Sequence, residues 1–442
     1  MGTNFIPKFG NYRSYLRVRA VLPCAIAALA AGLASPALAA ARVTVLYTFR
    51  GAADGGLPQA NLVADGAGNL YGTTLAGGIG SCLGFSGCGV VFKLAKKNGV
   101  WVETPLHAFT GGDDGGYPSA GVIADKAGNL YGTTEVGGAK YFGVVFKLTK
   151  NKGEGYTETV LHTFDGGPDG AFPEGSLIED ESGNLYGTTA DGGDTSCNCG
   201  TVFKLTRNKG EGYTDTVLHS FTGVSGRDGA EPEAGLIEDK EANLYGTTGH
   251  GGFTNCITGN GCGTVFRIAP DGTETVLYAF SGRDGLGPRG SLIEDGAGNL
   301  YGTTVNDDVN KDGLVFELTP SGNKTTLHAF SGGSDGIFPQ AGLFADKKGN
   351  LYGTTEHGGH ANCGFKGWHC GTVFKLTKNK GKAYTEAVLH SFAGGSDGAE
   401  PWASLIEDTP DGKAELFGTT MAGGTGTCSG FDGCGVVFEI KE

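Results

Sequence analysis

The hexapeptide Asn-Leu-Tyr-Gly-Thr-Thr constrains the fold of this chain more than any other feature, because it recurs at nearly regular intervals. It begins at residues 69, 129, 184, 243, 299 and 350, and a degenerate seventh copy, Glu-Leu-Phe-Gly-Thr-Thr, begins at residue 415. Spacings of 51 to 65 residues are typical of a repeat architecture, in which each copy is one supersecondary unit. The chain of 442 residues is therefore expected to form one array of seven related units.

Each repeat is predicted to contain four β-strands. In the second repeat, a short apolar run at 120–125 is followed by the hexapeptide at 129–134 and by two alternating segments at 144–149 and 156–164. Turn residues separate these segments, and the 83 glycines show no collagen-like period. No segment after residue 39 shows a sustained 3.6-residue period, so essentially no helix is predicted there.

The two ends of the chain indicate that the array closes into a ring. The last repeat stops at its third strand, 435–440, whereas residues 43–49 match the fourth strand of every other repeat. Pairing these two segments would complete the last unit and remove an exposed sheet edge. The sequence therefore predicts an all-β, seven-bladed β-propeller of four-stranded antiparallel blades, with the last blade closed by the N-terminal strand. The alternative, an open solenoid, does not explain the offset.

Residues 1–39 are typical of a secretory signal peptide. Lys8 and three arginines precede an apolar run at 21–33, and an Ala-Leu-Ala cleavage site ends at residue 39. The apolar run is too short to span a bilayer, which disfavours the alternative of a membrane anchor. Cleavage would leave residues 40–442 as a single propeller domain.

The charge of residues 40–442 restricts the partners that this domain can have. It contains 29 basic and 47 acidic residues, a net charge of −18. Such a charge repels phosphate backbones and anionic membrane surfaces, which argues against nucleic-acid binding and membrane association. We expect a soluble monomer that is secreted or periplasmic.

Ten cysteines remain after residue 39, an even number that suits an oxidising compartment. All ten lie in the loops before the third strands, and the simplest scheme pairs them locally: Cys82 with Cys88, Cys197 with Cys199, Cys256 with Cys262, Cys363 with Cys370, and Cys428 with Cys434. The pairing of Cys197 with Cys199 stays open, because a ring with one intervening residue would be strained. The loop that holds Cys363 and Cys370 also carries His357, His360 and His369, so a zinc site is the alternative there.

The loop of the fifth repeat lacks cysteines and carries a different motif, Asp308-Val-Asn310-Lys-Asp312-Gly-Leu314. This spacing matches the first half of an EF-hand calcium loop, in which alternate oxygen ligands converge on one cation. We therefore predict a structural calcium site formed by the side chains of Asp308, Asn310 and Asp312 and the carbonyl of Leu314. The twelfth position is Thr319 and not Glu, and the alternative interpretation is a polar surface turn.

Two aspartates recur in every repeat, one in Asp-Gly-x-x-Pro and one at the end of the first strand. A reaction needs one site and not seven copies, so we predict that these carboxylates bond to turn amides. The alternative is a ring of carboxylates that binds cations or sugar hydroxyls. A histidine or tyrosine recurs in the fourth strand, and their interchange suits a half-buried ring with a polar tip more than a catalytic base.

The repeat as a whole, from Val-Leu-His-x-Phe through Asp-Gly-x-x-Pro and Asn-Leu-Tyr-Gly-Thr-Thr to Gly-Thr-Val-Phe-Lys-Leu, resembles the GloVer tandem repeat of Gloeobacter and Verrucomicrobium proteins. Members of that family are exported bacterial repeat proteins, called "choice-of-anchor" because their sorting ends differ. The resemblance spans essentially all of residues 40–442 and implies no established activity and no catalytic residues. The stretch Pro-x-Ala-Gly-Leu-Ile is also similar to NHL-type propeller repeats, an analogy that supports the strand order.

These observations favour an exported, non-catalytic binding or scaffold protein. The ligand is expected to be an extracellular glycan or a protein, bound by the long loops that share one face of the disc. The alternative is a propeller enzyme, a lyase or hydrolase that works at the central channel. Such an enzyme is expected to carry a polar cluster that breaks the sevenfold pattern near the axis, and the first strands show no such break.

Overall fold

The computed structural model describes residues 41–82, 85–153, 155–194, 196–210, 212–253, 256, 259–307, 312–359, 370–381, 383–408, 415–428 and 430–441. Within these ranges the chain forms seven four-stranded antiparallel sheets arranged in a ring, which confirms the predicted seven-bladed β-propeller. We number the blades 1 to 7 in the order of their hexapeptides, and the strands of each blade first to fourth.

The strands keep similar bounds from blade to blade. The first strands are Val63–Ala64, Ile123–Ala124, Ile178–Glu179, Ile237–Glu238, Ile293–Glu294, Phe344–Ala345 and Ile406–Asp408. The second strands are Leu70–Thr74, Leu130–Thr134, Leu185–Thr189, Leu244–Thr248, Leu300–Thr304, Leu351–Thr355 and Glu415–Thr420. The third strands are Val90–Lys97, Val144–Lys150, Thr201–Arg207, Thr264–Ile268, Leu314–Leu318, Thr372–Lys378 and Val436–Lys441. The fourth strands are Val100–Ala108, Tyr156–Thr163, Tyr213–Ser220, Glu274–Ala279, Lys324–Ala329, Tyr384–Ser391 and, in blade 7, Arg42–Thr48.

Three short elements were not predicted from the sequence. A hairpin of Ser81–Cys82 and Phe85–Ser86 lies in the third-strand loop of blade 1. One helical turn spans Gly223–Gly226, and a 3₁₀ turn spans Gly395–Asp397. No helix in the described ranges is long and apolar enough to cross a membrane.

The ring closes as the offset of the chain ends predicts. Arg42–Thr48 pairs antiparallel with Val436–Lys441, and Arg42 lies opposite Lys441. This pairing gives blade 7 its fourth strand and covers an edge that would otherwise be exposed.

Two chemically distinct layers join each blade to the next. Phenylalanine rings meet edge to face with centroids 5.1–5.3 Å apart, in the pairs Phe49–Phe92, Phe109–Phe146, Phe164–Phe203, Phe221–Phe266, Phe280–Phe316, Phe330–Phe374 and Phe392–Phe438. Threonine hydroxyls donate to backbone carbonyls of the following blade over 2.8–3.5 Å, in the pairs Thr73–Ala120, Thr133–Gly175, Thr188–Ala234, Thr247–Gly290, Thr303–Ala341, Thr354–Ala403 and Thr419–Ala60. Both layers include the junction between blades 7 and 1.

The glycine of the hexapeptide has a specific packing role. A Cβ atom at Gly72 would lie 2.7 Å from the ring of Phe92 and 2.9 Å from Leu62. The glycine therefore makes room for the buried phenylalanine of the third strand in the same blade.

Candidate functional site

The aspartates that end the first strands are caps of a tight turn. Asp65 accepts backbone N–H bonds from Ala67 and Asn69, both at 2.9 Å, and its other oxygen accepts from the Asn69 amide and the Tyr71 hydroxyl. Burial alone would raise the pKa of Asp65, but these hydrogen bonds together hold it below its usual range. The same bonds form at Asp125, Asp180, Asp239, Asp295 and Asp346. These carboxylates stabilise turns, as predicted.

The aspartate of each Asp-Gly-x-x-Pro motif lies at a blade junction, close to the backbone of the preceding loop and to the histidine or tyrosine of the fourth strand. Asp114 accepts the backbone N–H of Thr110 at 3.0 Å, and its Oδ2 lies 3.3 Å from His107 Nε2. Corresponding pairs in other blades are His162–Asp169, His219–Asp228, His328–Asp335, His390–Asp397 and Tyr47–Asp54. The repeated imidazoles thus orient a structural aspartate, which agrees with the half-buried polar tip that we predicted.

A second acidic side chain, in the fourth strand of the following blade, faces most of these aspartates. Burial, followed by the charge of Asp114, raises the pKa of Glu158 to about 7. Burial and the charge of Asp54 raise the pKa of Glu103 to about 8, and burial and Asp335 raise that of Glu386 to about 7. These junctions therefore hold protons near neutral pH.

The cysteine loops pack against the loop that enters the next blade. The structure pairs Cys82 with Cys88, Cys197 with Cys199, Cys256 with Cys262, and Cys428 with Cys434. Cys370 is disulfide-bonded, and its predicted partner Cys363 lies outside the described residues, as do His360 and His369.

In two blades the second cysteine of the loop, which lies just before the third strand, is replaced by another residue. In blade 2 Phe142 occupies this position, and a Cβ atom at Gly166 would lie 2.4 Å from the Phe142 ring. In blade 5 Asp312 takes it, and burial, followed by the charges of Asp307 and Asp335, raises its pKa. Of the predicted calcium ligands, Asp312 and Leu314 are described, whereas Asp308 and Asn310 lie outside the described residues.

The sevenfold pattern breaks at the residues that precede the first strands and follow the hexapeptides. The residue before each Asp-Gly-x-x-Pro proline is held between two blades. Tyr117, for example, donates its N–H to Cys88 O of the preceding blade and accepts from the N–H of Glu135. This constraint forces positive φ angles of 55–66° at Leu57, Tyr117, Phe172, Glu231, Gly287, Phe338 and Glu400.

These residues surround the axis of the ring at one face. Ser404 N donates to Asn61 Oδ1 of the next blade at 2.8 Å, and a Cβ atom at Gly121 would lie 2.5 Å from Asn61 O. The blades thus approach each other closely just before their first strands, which line the centre of a propeller. We call the residues that flank these prolines, together with the two that follow each hexapeptide, the channel mouth.

One side of the channel mouth is acidic. Four carboxylates from blades 2 to 4 gather there: Glu135, Glu174, Glu231 and Glu233. Two basic side chains accompany them. Arg289 of blade 5 extends past Gly249 and places Nε 3.1 Å from Glu233 Oε2, and His250 Nδ1 lies 2.9 Å from Glu231 Oε2.

The carboxylates of this acidic side raise one another's proton affinity. Burial, and then the charge of Glu233, raises the pKa of Glu135 to about 7. Burial, followed by the charges of Glu233 and Glu135, raises the pKa of Glu174 well above its usual range, although Arg289 opposes this effect. Burial also raises the pKa of Glu233, but the Arg289 guanidinium opposes that rise, so Glu174 holds its proton more tightly than Glu233 does.

The other sides of the mouth differ in chemistry. Across the ring, the Gln340 amide donates to Glu356, whose second oxygen lies 3.5 Å from His357 Nε2. Burial, followed by the charge of Glu356, raises the pKa of Glu400 to about 7. Between these polar sides, blades 7, 1 and 2 contribute an apolar side in which Leu57, Leu75, Tyr117, Trp402 and Met421 pack together.

The channel mouth was missed from the sequence. The first strands all begin with an apolar residue, and they continue with Ala in blades 1, 2 and 6 and with Glu in blades 3, 4, 5 and 7. The variable positions lie beside the prolines and after the hexapeptides, where the repeat allows any residue. A comparison of those positions across the seven copies would have shown Glu, Arg and His in some and Leu, Ala and Met in others. Such a comparison is the sequence signal that could have found the site.

The Gloeobacter/Verrucomicrobia repeat family matches three overlapping segments of the chain, residues 34–197, 154–365 and 253–442. No curated protein matches the chain. These matches agree with the resemblance drawn from the repeat motif.

Several solved structures share a distant similarity. A luciferin-regenerating enzyme is 13% identical over 73% of this chain and 90% of its own, with a TM-score of 0.42. A protein of unknown function from Dyadobacter fermentans is 11% identical over 79% of this chain and 98% of its own, with a TM-score of 0.45. A puromycin-hydrolyzing peptidase from Mycobacterium tuberculosis is 10% identical over 81% of this chain and 48% of its own, with a TM-score of 0.46. We transfer no activity from proteins at this distance.

Proposed function

The chain belongs to the Gloeobacter/Verrucomicrobia repeat family, and we propose that it is an exported, non-catalytic binding protein whose channel mouth captures a positively charged extracellular glycan. A glycan that bears free amino groups, such as a glucosamine oligosaccharide, has the chemistry that this mouth would recognise.

The observation that carries the proposal is the excess of carboxylates on one side of the mouth. Four glutamates there face one guanidinium and one imidazole among the described residues. Bringing like charges together is costly and is relieved by protonation or by a cation. An ammonium group of a ligand would provide the missing positive charge, and the partly exposed ring of Trp402 offers a surface for the flat face of a sugar ring.

Export is part of the proposal. It is supported by the signal-peptide pattern of residues 1–39 and by the local cysteine pairs of the propeller. Sequencing the N-terminus of the protein recovered from the periplasm or the medium is expected to give residue 40 as the first residue. An intact N-terminus in the cytoplasm would contradict this part.

Calorimetric titration tests the binding site. The parent protein is expected to bind a glucosamine oligosaccharide and to bind its N-acetylated, neutral counterpart at least tenfold more weakly. A Glu174→Gln/Glu233→Gln variant should lose at least tenfold in affinity for the charged ligand. The matched control, Glu181→Gln/Glu241→Gln, makes the same two substitutions in exposed turns and should bind like the parent. Equal affinities in all three proteins would refute the site.

The enzyme alternative also gains an observation from the structure. Glu174 with a raised pKa and Glu233 beside Arg289 form the kind of acid and carboxylate pair that glycoside-cleaving enzymes use. Mass spectrometry of the oligosaccharide after incubation discriminates the two functions. Cleavage that disappears in a Glu174→Gln variant would establish the enzyme, whereas binding without cleavage supports the proposed function.

A further inference from the structure

The Cys197–Cys199 pair of blade 3 differs from the other described cysteine pairs. Its two cysteines are separated by 2 positions, whereas Cys82–Cys88, Cys256–Cys262 and Cys428–Cys434 are each separated by 6. Asn198, the single residue within the ring, has a φ angle of 53°. Asparagine adopts this left-handed region more readily than other non-glycine residues do, so the backbone cost is small. In the longer loops the positive φ angles fall on glycines instead, such as Gly87 and Gly261.

The sulfur of Cys197 is also placed differently from the sulfurs of the longer loops. A Cβ atom at Gly111 in blade 2 would lie 2.3 Å from Cys82 Sγ and 2.9 Å from Cys88 Sγ, so both sulfurs of blade 1 pack against the next blade. In blade 3 the corresponding distances from Gly223 are 2.8 Å for Cys199 Sγ but 4.0 Å for Cys197 Sγ. Cys197 Sγ therefore lies farther from this glycine than Cys199 Sγ does, and it lies 3.6 Å from the carbonyl oxygen of Phe221.

Solvent exposure follows the same order. Cys197 is exposed, whereas the cysteines in the equivalent place of the longer loops are less so: Cys82 and Cys256 are 6% and 7% exposed, and Cys428 is partly buried. Cys199 is buried at 6%, and its carbonyl accepts the N–H of Glu231 in the next blade. Cys197 is therefore the more exposed residue of the pair, and Cys199 is fixed to the next blade.

We propose that Cys197–Cys199 is a thiol–disulfide exchange site that reacts with thiols of small molecules or of a partner protein, while the pairs with longer loops are structural. A ring that encloses one residue removes less entropy from the unfolded chain than one that encloses five, so the bond contributes less stability. Exposed disulfides are the more easily reduced ones.

The reaction is an ordinary exchange. A thiolate of the external thiol attacks Cys197 Sγ and forms a new S–S bond, while the Cys197–Cys199 bond breaks. The bonding electron pair leaves on Cys199 Sγ, which becomes a thiolate and takes up a proton from solvent. When the reductant is a dithiol, its second thiol then attacks the reductant sulfur that is bonded to Cys197. Cys197 leaves as a thiolate, and the reductant is oxidised to a disulfide.

Equilibration of the full chain in mixtures of reduced and oxidised dithiothreitol tests the proposal without any variant. After acid quenching and alkylation, peptide mapping gives the reduced fraction of each pair. Cys197–Cys199 should be half reduced at a dithiol ratio at least tenfold more oxidising than Cys82–Cys88 and Cys428–Cys434 need, about 30 mV for a two-electron couple. The circular dichroism spectrum should stay unchanged at that point. Reduction of all three pairs together, or only with loss of the spectrum, would overturn the proposal.

A trapping experiment identifies the attacked sulfur. In a Cys199→Ser variant, Cys197 should form a mixed disulfide with oxidised glutathione at least tenfold faster than Cys82 does in the matched Cys88→Ser variant. Equal trapping rates in the two folded variants would contradict the assignment of Cys197. If either variant fails to fold, the same comparison is made by partial reduction of the parent protein and alkylation of the first thiol that appears, which should be Cys197 and not Cys82.

Discussion

Replacing Glu158 by glutamine is expected to stabilise the protein at pH 8 and to leave its stability unchanged near pH 4. Glu158 faces Asp114 across the junction of blades 1 and 2, and Asp114 is already bonded to Thr110 and close to His107. An ionised Glu158 would repel Asp114, whereas a glutamine amide can donate to it. The glutamine therefore resembles the protonated form of Glu158 in size and polarity, and it cannot ionise and repel Asp114.

The magnitude follows from the pKa of Glu158, which burial and Asp114 raise from 4.5 to about 7. Below pH ~4 the acid is protonated in the folded and the unfolded chain, so it adds no pH dependence. As the pH rises towards 7, the unfolded chain releases the proton first and is stabilised. Tenfold in proton affinity corresponds to about 1.4 kcal/mol, which gives ~3 kcal/mol for the whole shift. Because Glu158 is half-buried, solvent screening reduces this to about 1–2 kcal/mol.

Urea denaturation of parent and variant at pH 4 and pH 8 measures this effect. The free energy of unfolding of Glu158→Gln should exceed that of the parent by about 1–2 kcal/mol at pH 8 and match it at pH 4. Glu241→Gln, an exposed change at the opposite end of a blade, is the control and should match the parent at both values. A Glu158→Gln variant that is less stable than the parent at pH 8 would refute the account of the blade junctions.

Three further predictions concern the ring and its loops. Deleting Arg42–Thr48 should lower the melting temperature by ~10 °C or more, because blade 7 loses its fourth strand; melting like that of the parent would contradict ring closure. Calcium should raise the melting temperature by a few degrees in the parent but not in Asp308→Ala/Asp312→Ala, and equal melting with calcium and with chelator in both proteins would remove the proposed site. Peptide mapping without reduction should link Cys82 to Cys88, Cys256 to Cys262, Cys363 to Cys370 and Cys428 to Cys434, whereas free thiols or links between blades would exclude local pairing.

The sequence predicts the propeller well because each blade repeats the same local sequence patterns. Alternation in the strands, turn residues between them and the displaced strand at 43–49 each have one physical meaning, and the seven copies reinforce one another. The role of Asp65 and its counterparts as turn caps also followed from residue type and spacing alone. Contacts between blades were harder to predict, since the partner of Phe109 is the distant Phe146, and the sequence does not display this pairing.

The channel mouth could not be predicted from the consensus of the repeat, because it is made of the positions that the consensus leaves open. Glu135, Glu174 and Glu233 lie in three different blades, and only ring geometry brings them together. Phe142 illustrates the same limit. It packs against the next blade where other blades have a cysteine, and this becomes visible only when the contact between the two loops is known. Sequence patterns report what every blade needs, whereas function depends on what one blade does differently.

A crystal structure of the protein soaked with a glucosamine oligosaccharide tests the proposed binding site most directly. Density for a sugar is expected at the channel mouth, with an amino group within hydrogen-bonding distance of Glu174 or Glu233 and a ring face against Trp402. Sugar density confined to the cysteine loops would contradict this prediction. The absence of sugar density at the channel mouth, at a ligand concentration that saturates binding in solution, would contradict it as well.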